Sequence, residues 1–274
     1  MDEGLHGWVG AGDEILNAYA DACLEASKDS DAFDHFKKNE AYRPILEGGP
    51  RLLFDTYLNH IQEHNNLSMF MDNLEKFRIN DTLGDPDLYT DTKIGEFSPT
   101  TLKFAFNTID ILEFVKDHGD VNSIKNIVEI GGGYGGLCLI LSGFIDFESY
   151  TLIDLPEVCK LVKTYTSKFP QLKGKVKTVS CKSFPTKSFK DIDLAIAINS
   201  VNECTRDVQL KYFSKVIEKS KLSYIVRNPD TQTRVEDHQA TINSLGDNFL
   251  VDDSGRLEQA YSNQIVVYIK REDS

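Results

Sequence analysis

The stretch Val128-Glu129-Ile130-Gly131-Gly132-Gly133-Tyr134-Gly135-Gly136 carries the plainest chemical signal in the chain. An apolar run leads straight into five glycines among six residues, more than a tight turn requires. Glycine permits positive φ and close backbone approach, so a ligand can lie against such a turn and the start of the helix behind it. About twenty residues on, Asp154 ends a second apolar run, where a carboxylate can meet a ribose diol or simply cap the next helix. A third apolar run, 194–198, stops abruptly at Asn199-Ser200-Val201-Asn202-Glu203. Glu203 and, further on, His238 are the two candidates for a general base. His60 and His64 are spaced to share a helix face, but the order H-E-x-x-H is absent and no third ligand is apparent, so solvated surface is the expectation. Asp252-Asp253 and the Asp191/Asp193 pair lack a defined ligand spacing, so no metal site is expected. No G-x-S-x-G elbow and no G-x-x-x-x-G-K-[ST] loop occurs.

These residues need strands and helices to hold them. Short β-rich runs at 127–130, 150–155, 176–180, 194–198 and 224–226 alternate with helical patterns at 135–141, 156–169 and 207–220. That rhythm predicts a doubly wound, mostly parallel α/β sheet. Runs at 248–251 and 264–269 follow with no helix between them, only Asp253-Ser254-Gly255 and its neighbours. They predict a hairpin that sets the last strand antiparallel. Upstream, apolar residues recur at three and four: Ile15, Tyr19, Ala22, Cys23 and Ala26 behind an Asp13 cap, then Leu52, Leu53, Tyr57, Leu58 and Ile61 behind Gly48-Gly49-Pro50. Residues 67–77 suggest a third helix. Ser98-Pro99, a cap followed by proline at the first helical position, opens a fourth over 102–115. Residues 80–97, with Gly84, Pro86 and Gly95, read as a long loop.

The charge divides the same way. The chain has 274 residues, 30 basic and 43 acidic, for a net −13. Residues 1–120 hold 24 acids and 10 bases; residues 121–274 hold 19 and 20. The expectation is a helical accessory region, 1–120, and a ligand-binding domain, 121–274. So acidic a chain is a poor candidate for gripping nucleic acid or an anionic membrane over a broad face. The sequence contains no apolar stretch near the ~20 residues of a spanning helix, and its first residues lack the pattern of a secretory signal. Five scattered cysteines with no C-x-x-C favour a reducing, cytoplasmic setting over a disulfide framework.

Two cofactors compete for the glycine turn. Gly131, Gly133 and Gly136 satisfy the dinucleotide pattern G-x-G-x-x-G. Glu129, Gly131, Gly133 and Gly135 satisfy E-x-G-x-G-x-G, the turn of S-adenosylmethionine-dependent methyltransferases. An acid just before the glycines suits a ligand with a cationic amino-acid end, whereas it would repel a pyrophosphate. With Tyr150-Thr151-Leu152-Ile153-Asp154-Leu155-Pro156-Glu157-Val158, residues 127–158 resemble class I, Rossmann-like methyltransferases that use S-adenosylmethionine, and among them the sugar O-methyltransferase family. The resemblance extends more weakly over 95–270, through Phe97-Ser98-Pro99-Thr100-Thr101-Leu102 and Asn199-Ser200-Val201-Asn202-Glu203. Where Val201 stands the family often has an aromatic.

That resemblance implies transfer of a methyl group to a hydroxyl of a sugar or glycan. It implies cofactor contacts from Glu129, Gly131, Gly133, Tyr134, Gly135, Asp154, Leu155 and Asn199. Tyr134 would offer its π-face to the sulfonium or serve as a core shelf, and the Ser183-Phe184 loop would receive the adenine. Glu203 or His238 would take the acceptor's proton. The helical region offers acceptor contacts or a face for a second copy. Two other readings stay open: an NAD(P)-dependent reductase, although no Tyr-x-x-x-Lys pair stands in the right region, and a non-catalytic binding protein of the same fold.

Overall fold

Three strands buried along nearly their whole length, 126–130, 192–198 and 220–227, make the centre of the molecule, because a parallel sheet covered on both faces needs apolar residues on both. The computed structural model describes residues 13–47, 51–227, 238–258 and 263–272. The central strands are β3 (Asn126–Ile130), β4 (Ser149–Asp154), β5 (Val176–Ser180), β6 (Ile192–Ile198) and β7 (Ser220–Arg227). With β8 (Phe249–Glu258) and β9 (Asn263–Arg271) they form one seven-stranded sheet in the order β5-β4-β3-β6-β7-β9-β8. The β3–β7 pairings are parallel, and β9 runs antiparallel to both β7 and β8. This is the expected α/β architecture, with its terminal antiparallel hairpin.

Helices α8 (Gly136–Leu141), α9 (Pro156–Thr166) and α10 (Arg206–Lys215) cross between strands. On α9, Val158, Leu161, Val162 and Tyr165 are buried while Lys160 and Lys163 face solvent, the 3.6-residue stripe of a helix laid on a sheet. At the far end of the sheet from the glycine turn, Asp193 accepts the Lys125 and Asn126 N–H groups and pairs with Lys221 Nζ at 2.8 Å. It is a strand clip rather than a metal ligand.

The first region contributes α1 (Asp13–Ala26), α2 (Ser30–Asp34), α3 (Arg43–Leu46), α4 (Arg51–Glu63), α5 (Leu67–Met71), α6 (Leu74–Arg78) and α7 (Pro99–His118). Ser98 caps α7 as expected, its hydroxyl accepting the Thr101 N–H at 3.1 Å. One continuous apolar cluster joins Leu16, Phe54 and Phe70 of these helices to Leu152, Leu194 and Tyr224 of the sheet. A second fills the opposite face, around Ile130, Phe184 and Phe213.

Several expectations are corrected. The helix expected over 67–77 is two short helices, since Asn73 turns its amide onto the Met69 carbonyl and breaks the ladder. Residues 80–97 are not a plain loop. They hold a 3-10 turn, Ile79–Thr82, and a two-stranded hairpin, β1 (Tyr89–Asp91) with β2 (Gly95–Phe97). Asp253-Ser254-Gly255 does not join two strands; it lies within β8, where the register shifts between Asp252 and Gly255. Ile15 and Leu52 are exposed, and the core positions beside them are Leu16 and Phe54. Gly48-Gly49-Pro50 lies outside the described residues.

Candidate functional site

The order of the sheet reverses at β3, which has β4 on one side and β6 on the other. A crevice must open at the carboxyl ends of these strands. There the structure has a cleft of about 390 Å³. Gly131, Gly133, Asp154, Leu155, Asn199 and Glu203, all expected at the site, line it. Glu129, Tyr134, Gly135, Ser183, Phe184 and His238 are not among its lining residues.

The glycines are there for space as well as for torsion. Gly131 has φ +74°, and a Cβ on it would lie 2.3 Å from Ser200 Cβ. Ser200 is held in place by donating its hydroxyl to the Ile130 carbonyl at 2.5 Å. Gly133 has φ +53°, and its Cβ would meet Leu46 Cδ1 at 2.7 Å. Asp154 faces this turn. Its Oδ2 accepts the Gly133 N–H at 3.0 Å and its Oδ1 the Leu155 N–H at 2.7 Å. Burial pushes the carboxyl up to about 6, against the pull of those two N–H groups.

Across the cleft, β6 ends in Asn199, which adopts φ +51°. Its side-chain oxygen is buried and has no hydrogen-bond partner among the described residues, an acceptor left for a ligand. Glu203 follows on the 3-10 turn Val201–Glu203, half-buried. Lys103 reaches the same cleft from α7. Burial lowers its pKa while the charges of Glu203 and Glu47 oppose that fall. It is the one cationic side chain among the lining residues. The thiols of Cys181 and Cys204, also in the wall, are pushed up to about 11 and about 12 by burial, so neither supplies a thiolate near neutral pH.

The other expected residues sit behind or beside the cleft. Glu129 is sealed beneath the turn: it accepts the Tyr150 hydroxyl at 2.8 Å, and burial pushes it up to about 7. A Cβ on Gly132 would meet Leu152 Cδ2 at 2.3 Å and Glu129 Oε2 at 2.8 Å. Tyr134 is wholly buried in a cluster with Phe36, Tyr42 and Tyr165. Its hydroxyl accepts from Asn80 Nδ2, and the cation over its ring, 4.7 Å from the centroid, is the Lys37 ammonium. Gly135, at φ +94°, caps the start of α8. Ser183 bonds back to Ser180, and Phe184 packs on Tyr212 at 4.5 Å between ring centroids. His238 is fully buried against Phe213, its Nδ1 3.2 Å from Gln209 Oε1. Burial, with the Arg227 charge behind it, pushes its pKa down to about 3, so the imidazole is neutral at physiological pH.

Sequence reasoning missed Lys103, Ser200 and the accessory-region wall of Leu16, Tyr19, Pro44, Ile45 and Leu46. Lys103 did leave a signal, a charge inside the apolar run Leu102-Lys103-Phe104-Ala105-Phe106. Leu46 left none, because only the folded chain brings it to Gly133.

No family model and no curated protein matches the sequence. Solved structures do resemble it. A magnesium protoporphyrin IX methyltransferase from Synechocystis, with bound S-adenosylmethionine, superposes at a TM-score of 0.50 and 10% identity, over 75% of this chain and 94% of that one. An RNA methyltransferase structure from Pyrococcus horikoshii gives 0.49 and 13%, over 75% and 100%. A mitomycin 7-O-methyltransferase gives 0.44 and 12%, over 85% and 70%. At such identities the likeness is one of fold. Strand order, the terminal antiparallel pair and the Synechocystis superposition together give the chain a Rossmann-like methyltransferase fold.

Proposed function

We propose that the protein is an S-adenosylmethionine-dependent O-methyltransferase acting on a hydroxyl of a sugar or glycan. The observation that carries the reading is the meeting of Asp154 with Gly131 and Gly133 in one cleft. A carboxylate ends β4 beside a turn that has no room for a side chain. The residues fit the cofactor: Asp154 would take the ribose diol, and the unpartnered oxygen of Asn199 suits its amino group. S-adenosylmethionine, where bound, supplies a methyl group activated on a sulfonium. The superposed Synechocystis enzyme is described with that cofactor bound.

The chain's own residues have three tasks. Leu46 packs over Gly133, and with Leu16 and Tyr19 in the same wall it would keep water from the reacting atoms. Ser200 and Lys103 present hydrogen-bonding groups suited to a polyhydroxylated acceptor. Glu203 accepts the proton of the attacking hydroxyl, a role that its place in the cleft favours over His238, which is buried away from the cleft and whose lowered pKa makes it a weak base. Most of the rate would come from holding the acceptor oxygen in line behind the methyl group.

Calorimetric titration with S-adenosylhomocysteine and with NADH tests the reading. Binding of the first alone is expected. Binding of NADH alone would make the protein a reductase, and binding of neither would make it a non-catalytic protein on this fold.

A further inference from the structure

The 33 residues 158–190 hold nine of the chain's 30 basic side chains and none of its 43 acids. All nine are lysines. In a chain of net charge −13 that concentration is a departure from the local rule, and the fold gathers it at one edge of the sheet. The segment runs through α9, the edge strand β5 and the turn after it. Lys160 and Lys163 are exposed on α9, Lys173 and Lys177 flank and enter β5, and Lys182 and Lys190 follow it, all of them exposed. Among the described residues, Lys175 alone of the nine forms an ion pair, with Asp146 at 2.9 Å. The nearest acids are Glu157 in the first turn of α9, Asp191 just past the segment, and those of α1, packed on α9. Glu157, Asp191 and the exposed Asp21 and Glu25 of α1 make no ion pair with these lysines among the described residues.

An edge strand is often given a lysine to block pairing with another sheet, and Lys177 would suffice for that. It does not account for lysines on a helix or past the end of the strand. The placement also points to the cleft: Lys182 directly follows Cys181, which lines the cleft wall.

We propose that the lysine-bearing edge formed by α9, β5 and residues 181–190 is a docking surface for an acidic polysaccharide, a polymer with carboxylates along its length, whose acceptor unit enters the cleft past Cys181. The inference rests on the methyl-transfer reading for what happens in the cleft. The details of the surface favour this polymer over a nucleic acid. The segment has no arginine; of its aromatics Tyr165, Phe169 and Phe184 are buried and the half-buried Phe189 packs on Phe184, 5.7 Å between ring centroids, so it offers no row of exposed planes on which bases could stack. Lysines act as separate point charges, without the planar fork by which arginine grips phosphate and stacks on bases.

The test measures binding of polygalacturonate and of poly(U) by the full chain at about 150 mM salt. A variant with Lys160→Gln, Lys173→Gln, Lys177→Gln and Lys182→Gln is compared with a control, Lys93→Gln, Lys116→Gln, Lys211→Gln and Lys219→Gln. The control makes the same change of net charge at exposed lysines elsewhere. Expected are binding of polygalacturonate by the wild type, a loss of about tenfold or more and a shallower salt dependence in the first variant, and little change in the control. Equal losses in the two variants, tighter binding of poly(U), or no binding of polygalacturonate by the wild type would each overturn the proposal. S-adenosylhomocysteine titrated into the same samples separates the two readings. Its binding with polygalacturonate ignored removes only the docking surface. The reverse result removes the methyltransferase and leaves the surface.

Discussion

Asp154 Oδ2 and the backbone N–H of Gly133 lie 3.0 Å apart, so the acid at the end of β4 is bonded to the very turn against which a ligand would lie. A diol that recruits this carboxylate competes with that N–H, and the affinity measured is the difference between two hydrogen-bonded states.

Asp154→Ala is therefore expected to weaken S-adenosylhomocysteine by about 1.5–3 kcal/mol, the range for a hydrogen bond to a charged group. Isothermal titration on a variant with an unchanged far-UV spectrum reads this directly. An unaltered dissociation constant would take Asp154 out of the site.

Gly131→Ala is expected to cost more than its torsion alone. The φ of +74° asks about 1–2 kcal/mol of a side-chain-bearing residue, and the new Cβ also collides with Ser200. Adding Ser200→Gly should recover part of the loss in urea denaturation. A double variant no more stable than Gly131→Ala would show that Ser200 yields without cost.

The pH dependence of stability has a definite sign at Glu129. Its folded pKa, about 7, lies above the ordinary value of 4.5. Between these values the folded chain holds the proton more firmly, so this contribution is full below about 4.5 and is lost as pH rises through about 7. Glu129→Gln removes the titration. Relative to wild type it should gain on the order of 1–3 kcal/mol between pH 5 and pH 8, seen in denaturation curves at the two values. Parallel curves at both pH values would place the titration elsewhere.

Glu203→Gln should lower turnover by about 10²–10⁴-fold and leave S-adenosylhomocysteine binding intact. His238→Ala should instead lower stability by about 1–3 kcal/mol, since it leaves Gln209 without its buried partner, and should leave the pH profile of the rate in place. Loss of the basic limb of that profile in His238→Ala would reverse the assignment.

Removal of residues 1–119 should leave an insoluble or inactive chain. The apolar cluster that joins Leu16, Phe54 and Phe70 to Leu152 and Tyr224 would be cut open along the sheet. A soluble, fully active truncated protein would refute the accessory role.

What could be read from the sequence was what is local. The strand runs, the Ser98 cap and the glycine turn each carry their signal within ten residues, and the fold places them as expected. Glu129 shows where local reading ends. A carboxylate before a glycine turn has the same spelling whether it points into the cleft or, as here, bonds to Tyr150 beneath it. Tyr134 is ambiguous in the same way, since the cation on its ring comes from Lys37, nearly a hundred residues upstream. Leu46 against Gly133 is a contact between distant segments that no periodicity encodes.

The place of β9 between β7 and β8 bears on the order of events during synthesis. β8 is made first, yet it joins the sheet only through β9. Each strand from β3 to β7 finds an earlier neighbour, or waits for one later strand, in a ladder that can grow outward. The hairpin cannot be added that way. Its two strands must pair with each other, or β9 must dock on β7 alone, before the outer ladder exists. Until then the β7 edge stands open, and a nascent chain held at that stage exposes a hydrogen-bonding edge to its neighbours.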